Sequence, residues 1–281
     1  MVVRVIRRGE NMNKGKRFGK GTQFIIIQIV LLLIMISICG CGRKTEMPLK
    51  NLAYGRTKGS NVVYIKEKEE YAPYLVLTAD YNGNVLLLRK ELLPEPMQYK
   101  VHGDLWAYYE YGSYYEESSV DEFLNTEFFN SLCESTRNLI VDSTIEVTDK
   151  ESYDIWNYKT HEINRKVFLL SSVELGLKGL ESITTKEGKV LKYFKNKDFS
   201  VKTAYLPEGD VYPYWTRTPE LWESCTVVVI GTKMLGSYTA DISCGVRPAF
   251  CMERNTVVKE SADIIEGETV YVIEAEGGLV E

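Results

Sequence analysis

Beyond residue 60 the spacing of apolar positions changes character several times, and each change marks an element. The stretch "YLVLTADYNGNVLLLRKELL" holds two β-type runs around Asn82-Gly83, a pair that favours the two-residue turn of a hairpin. Leu86, Leu87 and Leu88 are consecutive, which suits a strand buried on both faces. Further on the period becomes helical. Val120, Phe123, Leu124, Phe128 and Leu132 lie on one face, and Ser119 with Glu122 forms a capping box, so one main helix is predicted near 119–132. Short strand-type pieces follow, "NLIV" and "TIEV", then Val167 to Leu170, after which Ser171 or Ser172 caps a single turn containing Glu174. Residues 176–205 are polar and lysine-rich and read as a variable loop. The part "CTVVVIGTKMLGSYTADISCGVRPAFCMERNTVV" is β-rich with glycine punctuation, and "ETVYVIEAEGGLVE" reads as one edge strand or a loose tail.

The most apolar run lies earlier. From Phe24 to Cys39 only Gln28 and Ser37 interrupt it. Sixteen residues of helix span about 24 Å, short of the ~30 Å hydrocarbon core, and the flanks are basic before and small after. This is the pattern of a secretory signal peptide, with Met12 an alternative start. Ile38-Cys39-Gly40-Cys41 resembles the lipobox of bacterial lipoproteins, in which an aliphatic and two small residues precede the lipidated cysteine. On that resemblance Cys41 carries the lipid and Cys39 leaves with the signal. Between Cys41 and "NVVYIKE" no apolar period appears. The predicted organisation is therefore a signal peptide over 1–40, a lipidated cysteine with a flexible tether over 41–60, a folded domain over 61–253, and a C-terminal strand or tail over 254–281.

Charge sharpens this division. Residues 1–40 carry seven basic residues and one acid, and removing them from 34 basic and 39 acidic leaves 27 and 38, a net of −11. An acidic body lacks the basic face that phosphate binding needs, so no nucleic-acid partner is expected. No cofactor is implied either. There is no glycine loop of the phosphate- or dinucleotide-binding kinds, and His102 and His161 stand apart from any metal-ligand spacing.

Four stretches in fixed order carry a resemblance: "SSVDEFLNTEFF", "KVFLLSSVE", "YWTRTPE" and "CGVRPAFCM". They resemble a bacterial family known as domain of unknown function 6273, over roughly residues 60–253. The matching positions are Asn125 in the helix motif, Trp215 and Arg217 in the third, and Arg247 and Pro248 in the last. Tyr214, Thr216 and Thr218 depart from the family pattern in conservative ways. The resemblance implies an α+β, C-type-lectin-like single domain with short antiparallel sheets and one main helix, the fold of the formylglycine-generating enzymes.

Candidate chemistry is sparse. Arg217 and Arg247 could hold a carboxylate or a sugar, or could pair internally with backbone carbonyls or with Asp121, Glu122 or Glu174. The internal reading is the expected one. The run "DLWAYYEYGSYYEE" places Trp106, Tyr108, Tyr109, Tyr111, Tyr114 and Tyr115 within ten residues. Such rings stack on sugars or anchor protein partners, and at least two tyrosines are expected to be exposed on one face. Export permits disulfides, and Cys225 with Cys244 is the most natural bridge. Cys133 is expected buried and free. Cys244 and Cys251 are seven apart and face opposite sides of one strand.

The expected function is therefore a class. It is an exported protein held on the membrane by its lipid, with a non-catalytic domain that binds a glycan or another surface protein. A wall-acting amidase, an oxidase of the formylglycine-forming kind, or a structural accessory subunit are the alternatives.

Overall fold

The computed structural model describes residues 45–100, 114–116, 118–149, 152, 159–177, 186–220, 225–230, 234–265 and 267–273, with the backbone alone at 225–230, 262–264 and 268. In chain order the strands are β1 (Glu46–Pro48), β2 (Val62–Glu67), β3 (Glu70–Tyr81), β4 (Asn84–Arg89), β5 (Met97–Gln98), β6 (Ile140–Val141), β7 (Ser143–Thr148), β8 (Thr160–Arg165), β9 (Val167–Phe168), β10 (Tyr214–Glu220), β11 (Cys225–Ile230), β12 (Met234–Thr239), β13 (Ser243–Cys244), β14 (Ala249–Met252), β15 (Val257–Ile265) and β16 (Glu268–Val272). Among the described residues no helix is long and apolar enough to cross a membrane.

The hairpin at Asn82-Gly83 organises the centre. Asn82 has φ 50° and Gly83 φ 86°, the left-handed pair of a tight hairpin turn, and Tyr81 faces Asn84 across it. Leu86, Leu87 and Leu88 are all buried, since β4 lies between β3 and β14. Nine strands form this sheet, in the order β1-β15-β16-β2-β3-β4-β14-β6, with β9 also pairing β14. Every pairing is antiparallel except that of β16 with β2. Smaller sheets join β10-β11-β12, β7-β8 and β5-β13.

The main helical run is α1 (Ser119–Phe123), a π-helical stretch Leu124–Phe128 and α2 (Phe129–Ser131), followed by α3 (Glu134–Leu139). Its apolar face buries Val120, Leu124 and Phe128 as the spacing predicts. The cap lies one residue earlier than expected. Ser118 is the N-cap, and its hydroxyl accepts from the Asp121 N–H at 3.1 Å. The π stretch contains Asn125, whose side chain acts as an extra strand residue. It donates to Val167 O at 2.9 Å and accepts from Val167 N at 3.2 Å, fastening the helix to β9.

Two expectations of architecture are corrected. Among the described residues 43% are strand and 14% helix, so the domain is mostly β around a mixed nine-stranded sheet, not an α+β, C-type-lectin-like domain with short antiparallel sheets. Both ends of the domain also join the sheet, against expectation. Within the stretch expected as a tether, 41–60, Leu49 and Leu52 are buried in a 3-10 turn after β1. Within the expected tail, 254–281, β15 and β16 bury Val258 and Val270, and β16 lies inside the sheet between β15 and β2. Their apolar positions are too few and too short-ranged to display a period. They become core by completing a sheet that already exists.

Candidate functional site

Arg217 stands on β10 with its guanidinium fully buried. Its Nη1 donates to Glu174 Oε2 at 2.7 Å and to Leu169 O at 2.9 Å, and its Nε donates to Glu146 O at 3.0 Å. Burial opposes the charge, but the Glu174 carboxylate holds it protonated, well above the ordinary value. Glu174 is placed by the turn after β9. Ser171 N donates to Glu174 Oε2 at 2.9 Å while Glu174 N donates to Ser171 Oγ at 3.0 Å, a reciprocal cap of the kind predicted. Tyr81 Oη donates to the other carboxylate oxygen at 2.6 Å. Gly188, at φ +84°, is needed beside it. A Cβ there would meet Glu174 Oε1 at 3.0 Å in a backbone conformation that already disfavours side chains.

A second carboxylate completes the cluster. Glu187 is fully buried, accepts from Thr148 N and Thr148 Oγ1 at 2.8 Å each, and accepts from Thr218 Oγ1. Burial raises its carboxyl above the ordinary range, with Arg217 and the threonines pulling the other way. Sequence reasoning did not single it out, because "TKEGKV" has the composition of a surface turn. Since Arg217, Glu174 and Glu187 are each at most 1% exposed, the cluster binds the strands together and offers no surface to a substrate.

The other family-motif residues also point inward. Trp215 is buried and donates from Nε1 to Met97 O at 2.9 Å. Arg247 donates from Nε to Arg89 O at 2.9 Å and from Nη2 to Lys90 O at 3.0 Å, with its guanidinium 5.6 Å from the Tyr214 ring centre. Pro248 is buried, and its carbonyl accepts from Arg89 N. Neither arginine reaches solvent.

Of the aromatic run, Trp106, Tyr108, Tyr109 and Tyr111 lie outside the described residues, as do His102 and Cys41. Tyr114 is half-buried and donates to Ser152 O at 2.9 Å. Tyr115 is corrected from candidate surface ring to core residue. It is 1% exposed, and its Oη accepts from Leu169 N at 3.3 Å. Cys244 is a free, buried thiol, and the side chain of its expected partner Cys225 lies outside the described residues. Burial pushes the thiols of Cys244 and Cys251 up to about 12. Cys133 is free but only half-buried, with Sγ 2.9 Å from Thr136 Oγ1.

A groove of about 800 Å³ opens to solvent beside the β2–β3 hairpin, floored by Pro73, Leu93, Phe123 and Phe128. Its deepest ion pair joins Arg89 Nε to Glu67 Oε1 at 3.0 Å, with Tyr74 donating to the same carboxylate. Around it stand Glu69, Glu70, Glu91, Glu95 and Glu127, contributed by the β2–β3 turn, the loop after β4 and the π-helical stretch. No local motif announces this site. Its acids come from three separate places in the chain and meet only in the fold.

The model of the domain of unknown function DUF6273 matches residues 82–254. No curated protein and no solved structure matches the chain. The matched span opens at the turn between β3 and β4 and closes just after β14, so it holds the Arg217 cluster and the inner wall of the groove. The flanking strands β1, β2, β3, β15 and β16 lie outside it. With more than half of its length matched, the chain belongs to the DUF6273 family.

Proposed function

We propose that this is an exported lipoprotein, anchored through lipid on Cys41, whose domain binds a ligand on the extracytoplasmic side without transforming it. The carrying observation is the groove, a ready-formed, half-open concavity with an apolar floor and a polar rim, the usual anatomy of a binding site. The address rests on the basic flank, the sixteen-residue apolar run and Ile38-Cys39-Gly40-Cys41. Binding is favoured over the formylglycine-forming alternative because that chemistry uses a pair of reachable thiols, and of the free cysteines among the described residues only Cys133 is partly exposed, Cys244 and Cys251 being buried and held protonated.

Metabolic labelling with an alkynyl fatty acid tests the anchor. Cys41→Ser is expected to abolish labelling and Cys39→Ser to leave it intact; label on the Cys41→Ser protein would refute the assignment. For binding, the full chain in neutral detergent is applied to an array of wall fragments, glycans and peptides beside Glu127→Trp, which places a ring over the groove. Hits lost in that variant support the reading. An array with no hits, or hits unchanged by the variant, would remove it.

A further inference from the structure

The groove's charge narrows what it can hold. Six acids line it, Glu67, Glu69, Glu70, Glu91, Glu95 and Glu127, against two bases, Lys68 and Arg89, a net of −4. Arg89 is already committed to Glu67 and to Leu92 O. Glu69 approaches Lys66 at 3.6 Å, but with its side chain 94% exposed that contact is screened and weak. Glu70, Glu91, Glu95 and Glu127 have no ion pair among the described residues. Four carboxylates thus face one solvent-filled concavity without an ion pair among the described residues, Glu91 lying near enough to Arg89 to feel its charge.

A compact metal ion does not suit this arrangement. Among the described residues no three His, Cys, Asp or Glu side chains converge closely enough to hold one. The negative charge is instead spread along the walls, which matches positive charge spread along an extended ligand. Between the acids the floor is apolar, and Tyr71 projects beside it, 48% exposed, as an unfilled contact surface. Anionic wall polymers and acidic lipid headgroups are repelled by the same rim. A neutral glycan would leave four carboxylates uncompensated.

Resting on the binding reading above, we infer that the groove receives an extended basic segment of another protein, with lysines or arginines on the rim acids and apolar side chains on the floor between them. The docking mode is that of a linear peptide, read by alternating charge and grease. Because the rim is solvent-exposed, its contribution is strongly salt-dependent, and it governs the rate of encounter more than the lifetime of the complex.

The test is fluorescence anisotropy with the full chain in neutral detergent and a fluorescein-labelled nonapeptide, Lys-Phe-Lys-Pro-Lys-Leu-Lys-Phe-Lys, beside its counterpart with glutamate for every lysine. The lysine probe is expected to bind at least tenfold more tightly than the glutamate probe. The variant carrying E70Q, E91Q, E95Q and E127Q is expected to lose most of that difference at an unchanged melting temperature. Y71S is expected to weaken the lysine probe severalfold without altering the salt dependence. Equal binding of the two probes, or full retention of the lysine probe by the quadruple variant, would overturn the inference. If array hits at the groove are neutral glycans, ligand binding stands and the basic-peptide assignment falls. If the groove takes neither probe nor array ligand, both fall together.

Discussion

Two regions of this domain are rich in carboxylates, and they put the same chemical group to opposite use. Around Arg217, Glu174 and Glu187 lose their water entirely and are satisfied by hydroxyls, backbone N–H groups and one guanidinium. At the groove, Glu70, Glu91, Glu95 and Glu127 stay open to water and form no ion pair among the described residues. A buried carboxylate is tolerable only when nearly every lone pair is answered, so each member of the first set is tied to the fold. An exposed carboxylate makes few demands on the fold and remains free to answer something outside it. The contrast teaches that a place in the family pattern here goes with burial and not with exposure to solvent. The arginine motifs belong to the interior, while the open acids belong to no motif.

The largest expected effect comes from breaking the interior network. Arg217→Ala would leave two carboxylates buried without their cation and cost ~3–5 kcal/mol, read as a large fall in melting temperature. Replacing Arg217, Glu174 and Glu187 together by Met, Leu and Leu is expected to recover much of that loss, since the charges then vanish as a set. If the single change leaves melting untouched, the cluster is not the structural unit described. Asn125→Ala comes next. It removes the clamp between the π-helical stretch and β9 and is expected to cost about 1–3 kcal/mol by denaturant titration, because Val167 would lose partners for both its N–H and its carbonyl.

A smaller effect separates the two sets by pH. Burial raises the Glu187 carboxyl above its ordinary value of 4.5. Between that value and its raised one the folded chain keeps a proton that the unfolded chain has lost, so this contribution to stability is complete below the ordinary value and declines as pH rises through the raised one. Acidification from neutrality toward about pH 5 should therefore raise the melting temperature of the native protein relative to Glu187→Gln. Parallel pH profiles for the two proteins would refute the assignment. The smallest effect is expected at the groove, where Glu91→Gln and Glu127→Gln should change stability by no more than about 0.5 kcal/mol. A clear drop in either would tie those acids to the fold and count against their being free for a ligand.

The amino-acid pattern foretold what depends on neighbours in sequence. Asn82-Gly83 turns where its chemistry requires, Leu86 to Leu88 are buried on both faces, Ser171 caps the turn of Glu174, and Glu174 was among the acids expected beside Arg217. It missed what depends on assembly. Leu49 and Leu52 looked like part of a tether because Pro48 and Lys50 dilute them, yet a neighbouring strand gives them a core. The helix cap fell to Ser118 instead of Ser119, since adjacent serines offer the same hydroxyl and only backbone direction decides between them. Glu187 was hidden by its polar surroundings, and Tyr115 was counted as surface although the space near Leu169 fits one ring. The groove was illegible for the simplest reason: its acids come from residues 67–70, 91–95 and 127, separated along the chain by stretches of twenty or more residues.

The parallel pairing of β16 with β2 also sets a clock. Val63 and Tyr271 lie 208 positions apart, and the strand carrying Tyr271 is inserted between β15 and β2, not added at the rim. Long-range parallel pairing is slow to form, and until it forms β2 presents a row of unanswered backbone groups to any passing strand. A chain that emerges amino terminus first must carry that raw edge until β16, about 200 residues later, arrives. The β2–β3 turn also supplies one wall of the groove, so the same hairpin carries both the groove and the edge that is filled last. A truncation that removes β16 would therefore leave β2 as an open edge prone to association, with the β3–β4 hairpin, helix and arginine motifs still in place.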